Sequence, residues 1–138
     1  MSIQEKENEI IEEFQLFGDN WESKYEHIID LGRTMPLINP EDKTDDRLIK
    51  GCQSRVWLKT EQEGDKLFFK ADSEAIITKG LIALIIRVFN GEKMKDIINA
   101  KADFIGKIGL QEHLSPTRAN GLISMINRMK SEALQRSK

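Results

Sequence analysis

The chain has 138 residues, a formal charge of −2 and 32% charged side chains of both signs. Its single cysteine excludes an internal disulfide and any zinc or iron–sulfur site that needs several cysteines from one chain. The balanced charge lacks the basic footprint of a nucleic-acid binder, and no stretch approaches the roughly 20 apolar residues of a membrane span. A chain of this length buries roughly two thirds of its unfolded surface, enough for one core without a staple, so a single domain over residues 1–138 is expected. The acidic start "MSIQEKENEIIEEF" has neither signal-peptide nor transit-peptide character, and a lone thiol favours a reducing compartment, so the expected location is cytoplasmic.

Ile3, Glu7, Ile10, Ile11, Phe14 and Phe17 recur at helical spacing, and Gly18 ends that helix. Asp19, with Glu22 three residues on, reads as the cap of a second helix. Its buried stripe is Trp21, Tyr25, Ile28 and Ile29, with Gly32 as its stop. "RTMPLINPEDKTDD" is irregular, since its two prolines forbid a continuous helix, and Asn39-Pro40 starts one short turn at most. The period then changes to two. Val56 and Leu58 alternate with Trp57 and Lys59; after "EQEGD", Leu67, Phe69 and Ala71 alternate with Phe68 and Lys70. This predicts a β-hairpin, with segment 46–51 as a candidate third strand.

"IITKGLIALIIRVF", residues 76–89, carries ten apolar side chains and predicts a helix in the middle of the core. Ser73 is its expected cap, Gly80 its point of close approach to the sheet, and Asn90-Gly91 its stop. "MKDIINAKADFIGKIGL" predicts two short helices split near Lys101. Ser115 caps the last helix, with Pro116 in its first turn. Leu122, Ile123, Ile126, Met129 and Leu134 are its expected apolar face, and "QRSK" an expected frayed tail. Helices, a small antiparallel sheet, then helices again make an α+β fold with helices packed on one sheet face. The face bearing Trp57 and Phe68 also needs cover, from a helix, the loop around 35–45 or a partner.

Cys52 follows Gly51 and precedes Gln53 and Ser54, on a turn rather than inside a regular element. Gly51 permits backbone angles that other residues resist. If residues 46–54 form the loop, arms of about four residues give its tip a reach on the order of 13 Å. Thiolates are favoured by nearby positive charge or a helix N-terminus. Lys50 and Arg55 are near in sequence, and His113 and Arg118 flank the start of the last helix. Two readings of the thiol stay open at this point: an inert, half-buried small residue, or a nucleophile. Paired with His113 as base, it would make a cysteine hydrolase or transferase, which also needs an oxyanion site that no motif here supplies. Taken alone, His113 reads as a surface or capping residue and Arg118 as a solvated helix charge. Asp72 reads as a strand-end cap with Ser73, and His27 is assigned no chemistry.

"GCQSRVWL" resembles the cysteine motif of the SufE family of sulfur acceptors, which includes the CsdE branch. "NWESKYEHIIDLGRTMP", "DSEAIITKGLIAL" and "HLSPTRANGL" resemble the family's second-helix, core-helix and last-helix regions, in the same order. The resemblance implies an α+β fold with the acceptor cysteine on a loop beside the sheet. It implies a carrier rather than an enzyme. Such a protein takes persulfide sulfur from a SufS-type or CsdA-type cysteine desulfurase onto Cys52, stimulates that desulfurase, and delivers sulfur to a SufBCD-type scaffold for iron–sulfur cluster assembly. Gly51, Gln53, Ser54 and Arg118 then belong to the surface that meets the desulfurase, with His113 in support. No cofactor or metal is expected in this chain, because the pyridoxal phosphate belongs to the partner. Neither nucleic acid nor membrane is an expected partner, and self-association into a homodimer is left open.

Overall fold

The computed structural model describes residues 2–51, 54–110 and 114–138. It begins with α1 (Ile3–Gln15), whose capping box joins Ser2 and Glu5 in both directions. The chain turns through Gly18 at φ +56 into α2 (Trp21–Arg33). Asn20, not Asp19, caps α2: its side chain accepts from the Ser23 N–H at 3.0 Å. The Asn20 N–H is still closing the preceding turn onto the Phe17 carbonyl, so the helix starts one residue later than the motif suggests and Glu22 falls short of the capping-box position.

Gly32 does not stop α2, which ends at Arg33 with the Thr34 hydroxyl donating to the Leu31 carbonyl. Gly32 instead lets α2 cross α3 (Ile76–Phe89) closely. A Cβ on Gly80 would stand 2.0 Å from the Ile28 carbonyl oxygen, and one on Gly32 would stand 3.0 Å from the Gly80 nitrogen. The close approach expected of Gly80 is therefore to α2 and not to the sheet. Ser73 is not the cap of α3; it closes the strand β2, and its hydroxyl accepts from the Ala75 N–H just ahead of the helix.

The strands β1 (Val56–Glu63) and β2 (Lys66–Ser73) form the predicted hairpin, in register from Val56 opposite Ser73 to Glu63 opposite Lys66. The third strand is β3 (Glu92–Lys93), antiparallel to the start of β2, and not segment 46–51. The latter offers β1 only one bridge, Leu48 to Trp57. A 3-10 turn over Asp45–Arg47 precedes that bridge and Gly51 at φ +92 follows it, so too few residues stay extended to make a strand. Beyond β3, the edge of β2 is taken by Pro36–Ile38, which bonds to both backbone groups of Ala71.

Val56, Leu58, Leu67, Phe69 and Ala71 lie buried in the same core as α3, on one face of the sheet as their alternation requires. The opposite face is covered at Trp57 by the irregular segment: the Lys43 ammonium lies 5.0 Å from the ring centroid and the Arg55 guanidinium 5.6 Å. The two short helices are α4 (Met94–Asn99) and α5 (Phe104–Lys107), and Ser115 caps α6 (Pro116–Arg136), which continues into the tail expected to fray. The buried face of α6 is Leu122, Met125, Met129 and Ala133, whereas Ile123 and Leu134 are 54% and 51% exposed. Ile123 and Leu134 therefore point away from the core that the simple periodic reading gave them. Among the described residues, no helix is long and apolar enough to cross a membrane, and no group of three His, Cys, Asp or Glu residues is placed to hold a metal ion.

Candidate functional site

The cysteine turn is gripped at its base. The Ile49 N–H donates to the Val56 carbonyl at 2.9 Å, and the Glu74 N–H donates to the Arg55 carbonyl at 3.2 Å. These bonds pin both ends of a loop that starts at Lys50 and ends before Arg55. The span between these pins is shorter than the 46–54 expected from sequence. Gly51 lies within the loop, exposed, at φ +92. Only glycine adopts that angle without strain. A Cβ there would also stand 2.6 Å from the Ser124 hydroxyl of α6. The loop base is thus seated against the middle of α6, beside a cleft of about 330 Å³ lined by Ile49, Lys50, Ser124, Asn127 and Arg128. On the same helix, Asn127 also borders a groove of about 270 Å³, whose apolar wall includes Leu114, Ala119, Leu122, Ile123 and Ile126.

The end of β2 is electrostatically ordered. Asp72, directly opposite Trp57 in the hairpin, accepts from Lys43 Nζ at 2.7 Å and from the Ser73 N–H at 2.8 Å, with Lys79 Nζ at 3.4 Å. Burial works against ionising Asp72, but the bonds from Lys43 and Ser73 and the charges of Lys79 and Lys43 outweigh it, holding the carboxyl below the usual aspartate range. Its strand-end role with Ser73 is as expected. Arg55 forms a close ion pair with Glu74, so its charge is shared before it can act on a thiol.

The sequence-predicted residues are only partly gathered. Gly51 and Ser54 lie in the gripped loop, Ser54 half-buried. Arg118 is exposed in the first turn of α6, where its N–H donates to the Ser115 hydroxyl. It lies six residues before Ser124 on α6, which is roughly 9 Å along the axis and about 120° around it, so the two residues sit on different stripes of the helix. Cys52, Gln53 and His113 lie outside the described residues. His27 is engaged by Glu13 at 2.7 Å.

Ser124, Asn127 and Arg128 were not singled out by sequence reasoning. In "GLISMINRMK" they read as the ordinary polar face of a helix; only the tertiary packing brings them to the loop.

The chain matches the family model for the SufE, Fe-S metabolism associated domain over residues 8–133. An uncharacterized SufE-like protein of Rhizobium meliloti is 44% identical over 131 residues, covering 91% of this chain and 93% of that protein. One of Rhizobium etli is 38% identical over 135 residues, covering 94% and 90%. A hypothetical protein from Thermus thermophilus, solved in solution, superposes with a TM-score of 0.77 at 19% identity over 94% of each chain, a likeness of fold alone.

Proposed function

Because the chain belongs to the SufE family of Fe-S metabolism associated domains, we propose that it is a sulfur carrier whose acceptor is Cys52. In this reading a SufS-type cysteine desulfurase loads the thiol and is stimulated by doing so, and a SufBCD-type scaffold receives the sulfur. The single observation that carries the reading is that the chain's only cysteine directly follows, in sequence, a left-handed glycine seated on α6, between backbone bonds at Ile49 and Arg55.

The step itself is thiolate exchange on a sulfur–sulfur bond. The Cys52 thiolate attacks the outer sulfur of the donor persulfide. The donor's S–S bond breaks, its cysteine leaves as a thiolate, and a new S–S bond forms on Cys52. The outer sulfur keeps its proton, and no electrons are gained or lost by the pair. A single thiol suits this work, since a second cysteine nearby would attack the Cys52 sulfur, close a disulfide and expel the outer sulfur as sulfide. The loop supplies a short tether, and Gly51 lets it pivot at an angle other residues resist. The apolar groove bordering Asn127 is the nearby surface suited to shelter a loaded sulfur from reductants, although burying its anion carries a desolvation cost. Arg118, exposed at the start of α6, is assigned to the surface that meets the desulfurase.

The test mixes the protein with its desulfurase and free cysteine, then maps mass by peptide. One added sulfur atom on the peptide containing Cys52, absent without desulfurase and absent in Cys52→Ser, is the expected result. Full stimulation of the desulfurase by Cys52→Ser, with no sulfur on the wild-type peptide, would leave an interaction module and no carrier.

A further inference from the structure

Arg128 is an ordinary charge by sequence and an unusual one by position. Its Nη2 donates to the Asp46 carbonyl oxygen at 2.8 Å and its Nη1 reaches the Leu48 carbonyl oxygen at 3.5 Å, across 82 and 80 residues of chain. Its Nε lies 3.4 Å from Glu132 Oε1, one turn along the same helix. The guanidinium is therefore oriented from within α6 and committed to main-chain oxygens immediately ahead of the loop. Bonds from an ionised donor are stronger than neutral ones, and the flat fork of arginine suits two acceptors at once. On the other side of this approach segment, the Ile49 N–H is bonded to Val56 and Leu48 is bridged to Trp57. Residues 46–49 are thus held between β1 and α6, with the Arg128 guanidinium bonding them from the α6 side. One helical turn earlier, Ser124 meets Gly51.

We propose that Arg128 is a positioning residue for sulfur transfer: by clamping the Asp46 and Leu48 carbonyls to α6, it fixes where the free arm ahead of Cys52 begins. The proposal rests on the sulfur-carrier reading and deepens it. With the clamp closed, the free arm begins at Lys50. With it open, residues 46–49 rest on the β1 side alone, through the Ile49–Val56 bond and the Leu48–Trp57 bridge; each time these open, the arm begins near Arg47 and gains roughly 10 Å of slack. A slacker tether spreads the thiol over a larger volume and lowers its effective concentration at the donor sulfur. Arg128 itself touches neither sulfur in this role, so the intrinsic reactivity of the thiol is untouched.

The experiment compares wild type with Arg128→Gln and Arg128→Lys. The glutamine loses both charge and fork; the lysine keeps the charge and most of the stem but offers one point donor. Hydrogen exchange at the Ile49 amide reads the clamp directly. Single-turnover transfer from a persulfide-loaded desulfurase, at saturating donor, reads its effect. Alkylation of Cys52 by iodoacetamide serves as the control for thiol chemistry and folding. In Arg128→Gln, faster exchange at Ile49, a roughly tenfold slower transfer and undiminished alkylation are expected, with Arg128→Lys between that variant and wild type. Wild-type exchange or wild-type transfer in Arg128→Gln overturns the proposal, as does a transfer loss matched by an equal loss of alkylation. If the wild-type protein takes up no sulfur, the carrier reading falls and the positioning role with it, while the exchange result then marks Arg128 as structural only.

Discussion

The α2–α3 crossing and the seat of the cysteine loop on α6 each turn on a glycine, and the two glycines are held in different ways. At Gly80 the obstacle to a side chain is backbone: a Cβ would fall 2.0 Å from the Ile28 carbonyl oxygen, between two packed helices. At Gly51 the obstacle is a rotatable hydroxyl, Ser124, together with the backbone angle of +92°. The first contact cannot yield without separating the helices that form the core. The second can yield by a rotamer change of Ser124, which leaves only the backbone angle to resist a side chain. The crossing of two core helices is therefore set by main chain, and the loop seat by one movable side chain and a backbone preference.

The sharpest way to break that comparison is Gly80→Ala. It is expected to lose at least ~3 kcal/mol of stability, beyond the usual cost of overpacking, because the blocking atom is main chain. Thermal unfolding measures it, and a loss below ~1 kcal/mol would mean that the helices can part and that the two sites are alike. Gly51→Ala is expected to lose about 1 kcal/mol for the positive φ, and to slow sulfur transfer more than it lowers the melting temperature. Adding Ser124→Ala should recover the contact component and not the backbone component, so the double variant should fall between wild type and Gly51→Ala in transfer rate.

Two carboxyls sharpen the contrast through pH, with opposite signs. Asp72, at the end of β2, has its folded pKa lowered, so its contribution is present above the unfolded value and is lost as pH falls through the folded one. Asp72→Asn should therefore destabilise at neutral pH by no more than about 1 kcal/mol, with the difference from wild type closing as the pH is taken below about 4. Glu7, on α1, is only 5% exposed, and one of its oxygens lacks a protein partner. Burial raises its pKa, the Asp103 charge adds to this, and Lys107 partly offsets it. Its neutral form is favoured in the fold, so that contribution is full below the unfolded value and is lost as pH rises through the folded one. Glu7→Gln should be more stable than wild type at neutral pH by on the order of 0.5 kcal/mol, and the gain should vanish in acid. Melting temperatures across a pH series check both; equal pH profiles for wild type and Glu7→Gln would show that Glu7 is solvated.

The elements with strong periodicity were legible from their residues. The hairpin of Leu58 and Phe69, the apolar run of α3, and the Ser115-Pro116 start of α6 each carry a local rule that packing then obeyed. Errors fell where tertiary contact outranked a local signal. Gly32 and Gly80 look like a stop and a sheet contact, but two glycines on separate helices are most useful facing one another. Ile123 and Leu134 fit a helical stripe in sequence, yet the core reaches α6 along Leu122, Met125 and Met129. The short β3 lay hidden after Asn90-Gly91, because two residues show no alternation. At the site, Gly51 was conspicuous and Arg128 was not: a glycine announces an unusual backbone, whereas an arginine on a helix announces nothing about what it reaches.

The order of amino acids alone determined the α+β class, the positions of most elements and the isolation of one thiol behind a glycine, because periodicity, caps and composition act over short stretches. The folded arrangement alone decided that α2 and α3 cross through Gly32 and Gly80, and that the loop is gripped at Ile49 and seated on Ser124 and Arg128. Those contacts join residues far apart in the chain, and their energies depend on distances of a few ångströms that no local pattern encodes.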